Sequence, residues 1–183
     1  QQAAYDLLDT EERARLHRAL GRLYLDRLSF EERDEQLLTI VSHLNAGREL
    51  LVEAKHIPEK IELAELNLAA GRKSRGSTAY ESAVLMFRIA LGQLPANPAD
   101  ALAGDQEHYQ LYMDLNMELG ETCYILGDLQ RAERYFQIIL TRAKTNVEKL
   151  RVYEIKIGIS TGQSQPEEAV RLGIEALDML GMR

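Results

Sequence analysis

The sequence predicts an all-α chain of antiparallel helix pairs. Three observations carry this: apolar residues recur at three- and four-residue steps nearly everywhere, strand signals are nearly absent, and a small–bulky–small register repeats along the chain. Leu16, Leu20, Leu23, Tyr24 and Leu28 illustrate the first point, as do Leu37, Ile40, Val41 and Leu44. The second rests on the lack of sustained period-two alternation and of any Asn-Gly or Asp-Gly hairpin turn.

Breakers divide the periodic runs: Ser29, Pro58, Lys73 to Ser77, Pro95 to Pro98, Gly127-Asp128 and Gly162 to Pro166. The spacing predicts eight main helices, at 11–28, 31–52, 58–73, 77–94, 106–126, 128–145, 147–161 and 166–180, with a short turn near 3–8 before them. Ser29 followed by Glu32 forms a capping box for the second helix. Pro58 and Pro166 stand where a first helical turn tolerates proline. The clearest loop is 96–105, with Pro95, Pro98 and two Asp residues in or beside it. The whole chain, 1–183, reads as a single helical-repeat domain: an atypical pair at 11–52, then pairs at 58–95, 106–145 and 147–181.

The repeat shows in three segments. One reads Gly71, Ala83, Phe87, Ala90 and Pro95. The next reads Leu119-Gly120, Gly127, Ala132, Phe136 and Ile139. The last reads Ala169, Gly173, Ala176 and Gly181, with a glycine in the bulky position. Two helices joined by a tight turn approach closely, so small residues belong where they cross and bulky ones fill the groove against the next pair. A single pair cannot bury its apolar face alone, so pairs stack. This register resembles the tetratricopeptide repeat. The resemblance implies a right-handed superhelix whose first helices line a concave groove.

A narrower resemblance rests on Ile40-Val41-Ser42-His43-Leu44-Asn45-Ala46-Gly47 and on the run from Ala64 to Ala83, Glu65-Leu66-Asn67-Leu68 and Gly71-Arg72-Lys73-Ser74-Arg75-Gly76 included. Together they look like the helical region of large bacterial hybrid signalling proteins, in which an AAA-like, STAND-type ATPase precedes a tetratricopeptide-like region and a histidine kinase often follows. The chain opens Gln1-Gln2-Ala3-Ala4 without Met and reads as a piece of a longer protein. On this resemblance it is a regulatory arm and not the ATPase or the kinase.

The composition suits an ordinary soluble domain: 45% apolar, 28% charged, and no apolar run near the length of a membrane span. A net charge of −7 argues against nucleic acid, whose phosphates need a basic footprint. Cys123 is the one cysteine, which excludes an internal disulfide and suits a reducing cytoplasm. Between Arg88 and Arg131 there is no Lys or Arg, but Asp100, Asp105, Glu107, Asp114, Glu118, Glu121 and Asp128 fall there. This stretch is either an acidic docking face or a set of solvated helix faces.

Chemistry is hard to place. His17, His43, His56 and His108 form no metal spacing, no phosphate loop is present, and no Ser-His-Asp or Cys-His set can be assembled from spacing. His43 and Cys123 read as packed side chains. Glu11-Glu12, Glu31-Glu32 and Glu167-Glu168 sit near helix starts, where they complement the dipole. No cofactor or metal is expected, and the chain reads as non-catalytic.

Arg72, Lys73 and Arg75 are the one compact basic cluster, suited either to an acidic contact or to compensating a helix C-terminus. By alignment with the repeat family, Arg72 and Arg75 face the groove from one pair, Asp114, Met117, Glu121 and Tyr124 from the next, and Arg151 and Glu154 from the last. That mixture does not match the basic and Asn pattern of a chaperone-tail clamp. The expected function is a protein–protein interaction or regulatory scaffold module in a multidomain signalling ATPase or kinase. Its expected partner is a protein or peptide, neighbouring domains of the same chain included, with no nucleic acid and no membrane. A homodimer through exposed terminal helices is a further expectation. The alternative is a small-ligand-sensing arm, since some STAND-type regulators bind an inducer in their helical arm.

Overall fold

A computed structural model describes residues 8–52, 56–94 and 106–182. Pro95 and the loop expected at 96–105 lie outside the described residues, as does nearly all of the turn expected near 3–8. Among the described residues there are nine α-helices, one 3₁₀ turn and no strand. The helices are α1 (Thr10–Arg27), α2 (Phe30–Glu35), α3 (Leu37–Ala46), α4 (Ile57–Gly76), α5 (Tyr80–Gln93), α6 (Gln106–Ile125), α7 (Leu129–Arg142), α8 (Asn146–Gly162) and α9 (Pro166–Met179); the 3₁₀ turn is Arg48–Leu50. None is long and apolar enough to cross a membrane. The chain forms two compact units, Gln1–Ala101 and Leu102–Arg183.

In the first unit α1 packs on α3, α3 on α4 and α4 on α5. α1 starts at a capping box in which Asp9 accepts from the Glu12 N–H at 2.8 Å and Glu12 accepts from the Asp9 N–H at 3.0 Å. The Ser29–Glu32 box is present as the sequence suggests. The single helix expected at 31–52 is not. Gln36 leaves helical geometry at φ −91° and ψ 8°, and the chain divides into α2, α3 and the 3₁₀ turn. The reason is the contrast between its halves. Phe30–Glu35 is largely charged and buries nothing, whereas Leu37, Ile40, Val41 and Leu44 are all buried. Turning at Gln36 seats that stripe while α2 stays in water. Ile40, Leu44, Leu51 and Leu63 form one core cluster with Tyr24, Leu25 and Leu28 against it; Leu37, Val41 and Ala70 form a second.

In the second unit α6 packs on α7, α7 on α8 and α8 on α9. The two central hairpins of the chain repeat one contact. Gly71 of α4 faces Phe87 of α5, and Gly120 of α6 faces Phe136 of α7, with the same offset in sequence. A methyl group at Gly71 would lie 2.3 Å from the Phe87 Cε1, and one at Gly120 2.5 Å from the Phe136 Cε1. Only glycine admits so close a ring. Ala83, Phe87 and Ala90 are fully buried, as are Ala132, Phe136 and Ile139 to within 2%. The third segment departs from this. Ala169 is half-buried, and Gly173 offers no ring to its pair, so α9 rests on Leu172 and Ala176 instead.

The turns repeat too. The helix expected at 77–94 begins only at Tyr80, because Thr78 takes a left-handed φ of 61°. Gly127 (78°) and Ser164 (57°) occupy the equivalent place in the next two hairpins. In each, the following N–H reaches back to close the helix: Ala79 to Ser74 O at 2.9 Å, Asp128 to Cys123 O at 2.9 Å, and Gln165 to Ser160 O at 2.8 Å. Likewise Asn67 and Asn116, both fully buried, each donate to the carbonyl one turn back, of Leu63 and Tyr112, at 2.8 Å.

Candidate functional site

Along α6 the side chains Gln110, Asp114, Met117 and Glu121 fall at four-, three- and four-residue steps, hence on one face. α8 presents Val147, Leu150, Arg151 and Glu154 towards it. Between them lies an open groove of about 350 Å³. Met113, Met117, Ile139, Val147 and Leu150 supply its apolar surface, and Gln110, Asp114, Glu148, Arg151 and Glu154 its polar one. Arg151 bonds Glu121 across the groove at 3.1 Å. Gln110 donates to Asp114 at 2.8 Å. Glu148 is already occupied. It accepts from the N–H groups of Lys144 and Thr145 at 2.9 and 3.0 Å and from the Tyr109 hydroxyl at 3.1 Å. Burial pushes its carboxyl up, but these donors outweigh burial and hold it below the ordinary carboxylate range. Tyr109 is pushed up in turn, by burial first and by the adjoining Glu148. The Lys144 ammonium lies over the Tyr109 ring, 4.0 Å from its centroid. This cluster fixes the α7–α8 connection and the wall of the groove.

Of the groove residues taken from the sequence, Asp114, Met117, Arg151 and Glu154 line this one space, and Glu121 joins it through Arg151. Tyr124, one turn further along α6, lines a neighbouring cavity of about 290 Å³ with Leu129, Phe136 and Lys156. Arg72 and Arg75 belong to the first unit, on α4, which continues to Gly76 and so carries both. Arg72 is exposed and Arg75 half-buried. Lys73 between them bonds the Asp34 carboxylate at 3.1 Å and its carbonyl, which ties α2 to α4. The sequence missed Met113, Ile139, Val147 and Leu150. Their apolar type alone does not separate a groove wall from a core position.

The acidic stretch is dispersed by the fold. Glu118 is buried, Glu121 is held by Arg151, and Asp128 caps α7 through the Arg131 N–H at 3.0 Å. Asp100 and Asp105 lie outside the described residues. Cys123 is 2% exposed and packs within α6.

The first unit adds three polar contacts that linear spacing hides. Arg18 of α1 grips Glu59 of α4 at 2.8 and 2.5 Å, and Arg22 reaches Glu62 at 2.5 Å. The Arg18 guanidinium holds the Glu59 carboxyl below its ordinary range. His17 Nδ1 and His43 Nδ1 meet at 2.7 Å between α1 and α3, with Tyr24 stacked on His43 at 6.0 Å. Burial, then the adjoining His17, pushes His43 down. Among the described residues no group of three His, Cys, Asp or Glu side chains is placed to hold a metal ion.

The chain is similar to the hybrid signal transduction histidine kinase G of Dictyostelium discoideum. The two are 26% identical over 200 residues; the match covers this whole chain but 6% of the length of that kinase. The match therefore spans both compact units of this chain. No protein-family model matches the chain. No solved structure matches it.

Proposed function

We propose that the chain is a non-catalytic protein–protein interaction module that regulates a multidomain signal-transduction protein, and that the α6–α8 groove is where it holds its partner. The observation that carries this is the groove's make-up: an apolar surface of Met113, Met117, Ile139, Val147 and Leu150 flanked by Asp114, Glu121 and Glu154, with Arg151 as the one cation among the described residues that line it. Such a surface suits a peptide or a neighbouring domain segment that pairs Leu- or Met-like side chains with Lys or Arg. Similarity to a segment of a histidine kinase supports the signalling context. The repeated glycine–phenylalanine crossing and the repeated left-handed turns support the finer reading of the fold, tetratricopeptide-like helix pairs; the wider reading, a right-handed superhelix in a cytoplasmic ATPase–kinase hybrid of the STAND type, rests on the resemblance of residues 40–47 and 64–83. The test is Asp114→Lys with Glu154→Lys in the full-length parent protein. Altered kinase output with unchanged helix content supports the reading; output that ignores both this change and deletion of residues 106–182 contradicts it.

A second reading, a small-ligand-sensing arm, is favoured by the groove's volume, which lies within the range of small-molecule sites, and by the convergence of Gln110, Asp114 and Arg151 on it. A metabolite that raises the unfolding midpoint of the chain, and fails to do so after Arg151→Ala, supports this reading over the first.

A further inference from the structure

Linear spacing shows no metal pattern among the histidines, but the fold brings two of them together. His17 stands on α1 and His43 on α3, 26 residues apart in sequence. Their Nδ1 atoms face each other at 2.7 Å, with ring centroids 5.0 Å apart and planes 32° from parallel. A neutral imidazole carries one proton, so one Nδ1 donates here and the other accepts. Tyr24 stacks on His43, with 23° between the planes, and steadies that ring. Both histidines are half-buried, so water and small ions reach the pair.

We infer that this pair is a site for a divalent first-row transition ion, copper(II) or nickel(II) by preference, held by the two Nδ1 atoms and otherwise by water. The distance carries the inference. A metal–imidazole bond is about 2.0–2.1 Å long, so two such nitrogens at right angles on one ion lie about 2.9 Å apart, and at the tetrahedral angle about 3.4 Å. The pair therefore has to open by only about 0.2 Å to occupy adjacent positions of a square or octahedral ion, and by more for a tetrahedral one. Right-angled nitrogen sites are those of copper(II) and nickel(II), whereas zinc prefers the tetrahedron, and magnesium and calcium take oxygen ligands. Among the described residues no third His, Cys, Asp or Glu completes a set with these two, so water fills the remaining positions. On binding, two metal–nitrogen bonds form and two waters leave the hydrated ion. The proton between the rings moves to the Nε2 of its own ring, so the pair stays neutral. The ion then replaces a shared proton as the link between α1 and α3. Because unfolding parts the two rings, the ion stabilises the folded chain. The inference does not depend on what the α6–α8 groove binds.

Titration of the tag-free chain with nickel(II) at mildly alkaline pH, by calorimetry and by thermal unfolding, tests it. The expected result is one ion per chain and a midpoint that rises with nickel and ignores magnesium. His17→Gln and His43→Gln each weaken nickel binding by ~10-fold or more, since losing a ligand costs at least what losing its outer-shell support does. Glutamine can still bond the remaining imidazole but supplies no ring nitrogen, so these variants separate the metal site from the hydrogen bond. His108→Ala, on α6, leaves binding unchanged. Copper(II) bound to the chain shows electron paramagnetic splitting from two nitrogens, and from one in either glutamine variant. The ion is released as pH falls through about 6.5, where imidazoles take up protons. Circular dichroism without metal confirms that each variant folds. A midpoint that ignores nickel overturns the proposal, as does binding that survives in both glutamine variants, binding lost in His108→Ala, or a copper spectrum the variants do not change.

Discussion

Replacing Gly71 with alanine isolates the contact on which the helix pairs are built. The added methyl would stand 2.3, 2.6 and 2.9 Å from three atoms of the Phe87 ring. Ordinary carbon contacts lie near ~3.5–4.0 Å, so three overlaps of roughly 1 Å must be relieved at once. Phe87 has no exposed surface to retreat into, and Ala83 and Ala90, one helical turn to either side, are as fully buried. Overpacking of this kind costs about 1–3 kcal/mol, against which alanine's better helix propensity returns about 1 kcal/mol. A net loss of roughly 1–2 kcal/mol follows. Gly158→Ala in α8 is the control: a methyl there meets nothing within 4 Å, so propensity acts alone and the variant gains about 0.5–1 kcal/mol. The assay is urea unfolding followed by far-ultraviolet circular dichroism. Combining Gly71→Ala with Phe87→Leu should recover part of the loss as a coupling energy, because the smaller side chain vacates the space. If Gly71→Ala is as stable as Gly158→Ala, the crossing is looser than described and the reasoning fails.

Thr78→Gly and Ser164→Gly each relieve a left-handed residue and should raise stability by about 1 kcal/mol, while Gly127→Ala should lower it by a similar amount, read as shifts in thermal midpoint. His43 titrates below the ordinary imidazole value of about 6.5, so the unfolded chain binds the extra proton first. Stability is therefore level above that pH and falls as pH drops beneath it; urea midpoints between neutral and mildly acid pH check this, and His43→Gln should flatten the slope. For Glu59 the pairing with Arg18 lowers the carboxyl, so its contribution is present above the ordinary value of about 4.3 and is lost as pH falls through the folded one. Arg18→Ala should cost about 1 kcal/mol at neutral pH, a modest figure because the paired side chains remain 33% and 30% exposed.

Much of the fold is legible in the sequence because its causes are local. Ser29 and Glu32 cap a helix with atoms three residues apart, and Pro58 and Pro166 open helices through their own ring geometry. Ala83, Phe87, Ala132 and Phe136 stand out because close helix crossing restricts side-chain size. The break at Gln36 is not legible, since the apolar spacing continues through it and only the competing environments of α2 and α3 impose the turn. Thr78 hides its turn for the same kind of reason: a β-branched residue is held left-handed by the bonds around it and not by its own preference. The His17–His43 contact and the Lys73–Asp34 tie join residues far apart in sequence, where no periodicity reports them. The candidate groove is partly legible. A shared helix face places Asp114 beside Met117, but the walls from α7 and α8 exist only once the pairs have packed.

The account depends on Gly71 and Gly120 lying under the rings of Phe87 and Phe136, and proton NMR observes that contact directly. It predicts α protons of both glycines displaced upfield by ring current, with strong cross-relaxation to the ring protons of Phe87 and Phe136 respectively. Glycine resonances at ordinary positions, with no cross-relaxation to either ring, would contradict it.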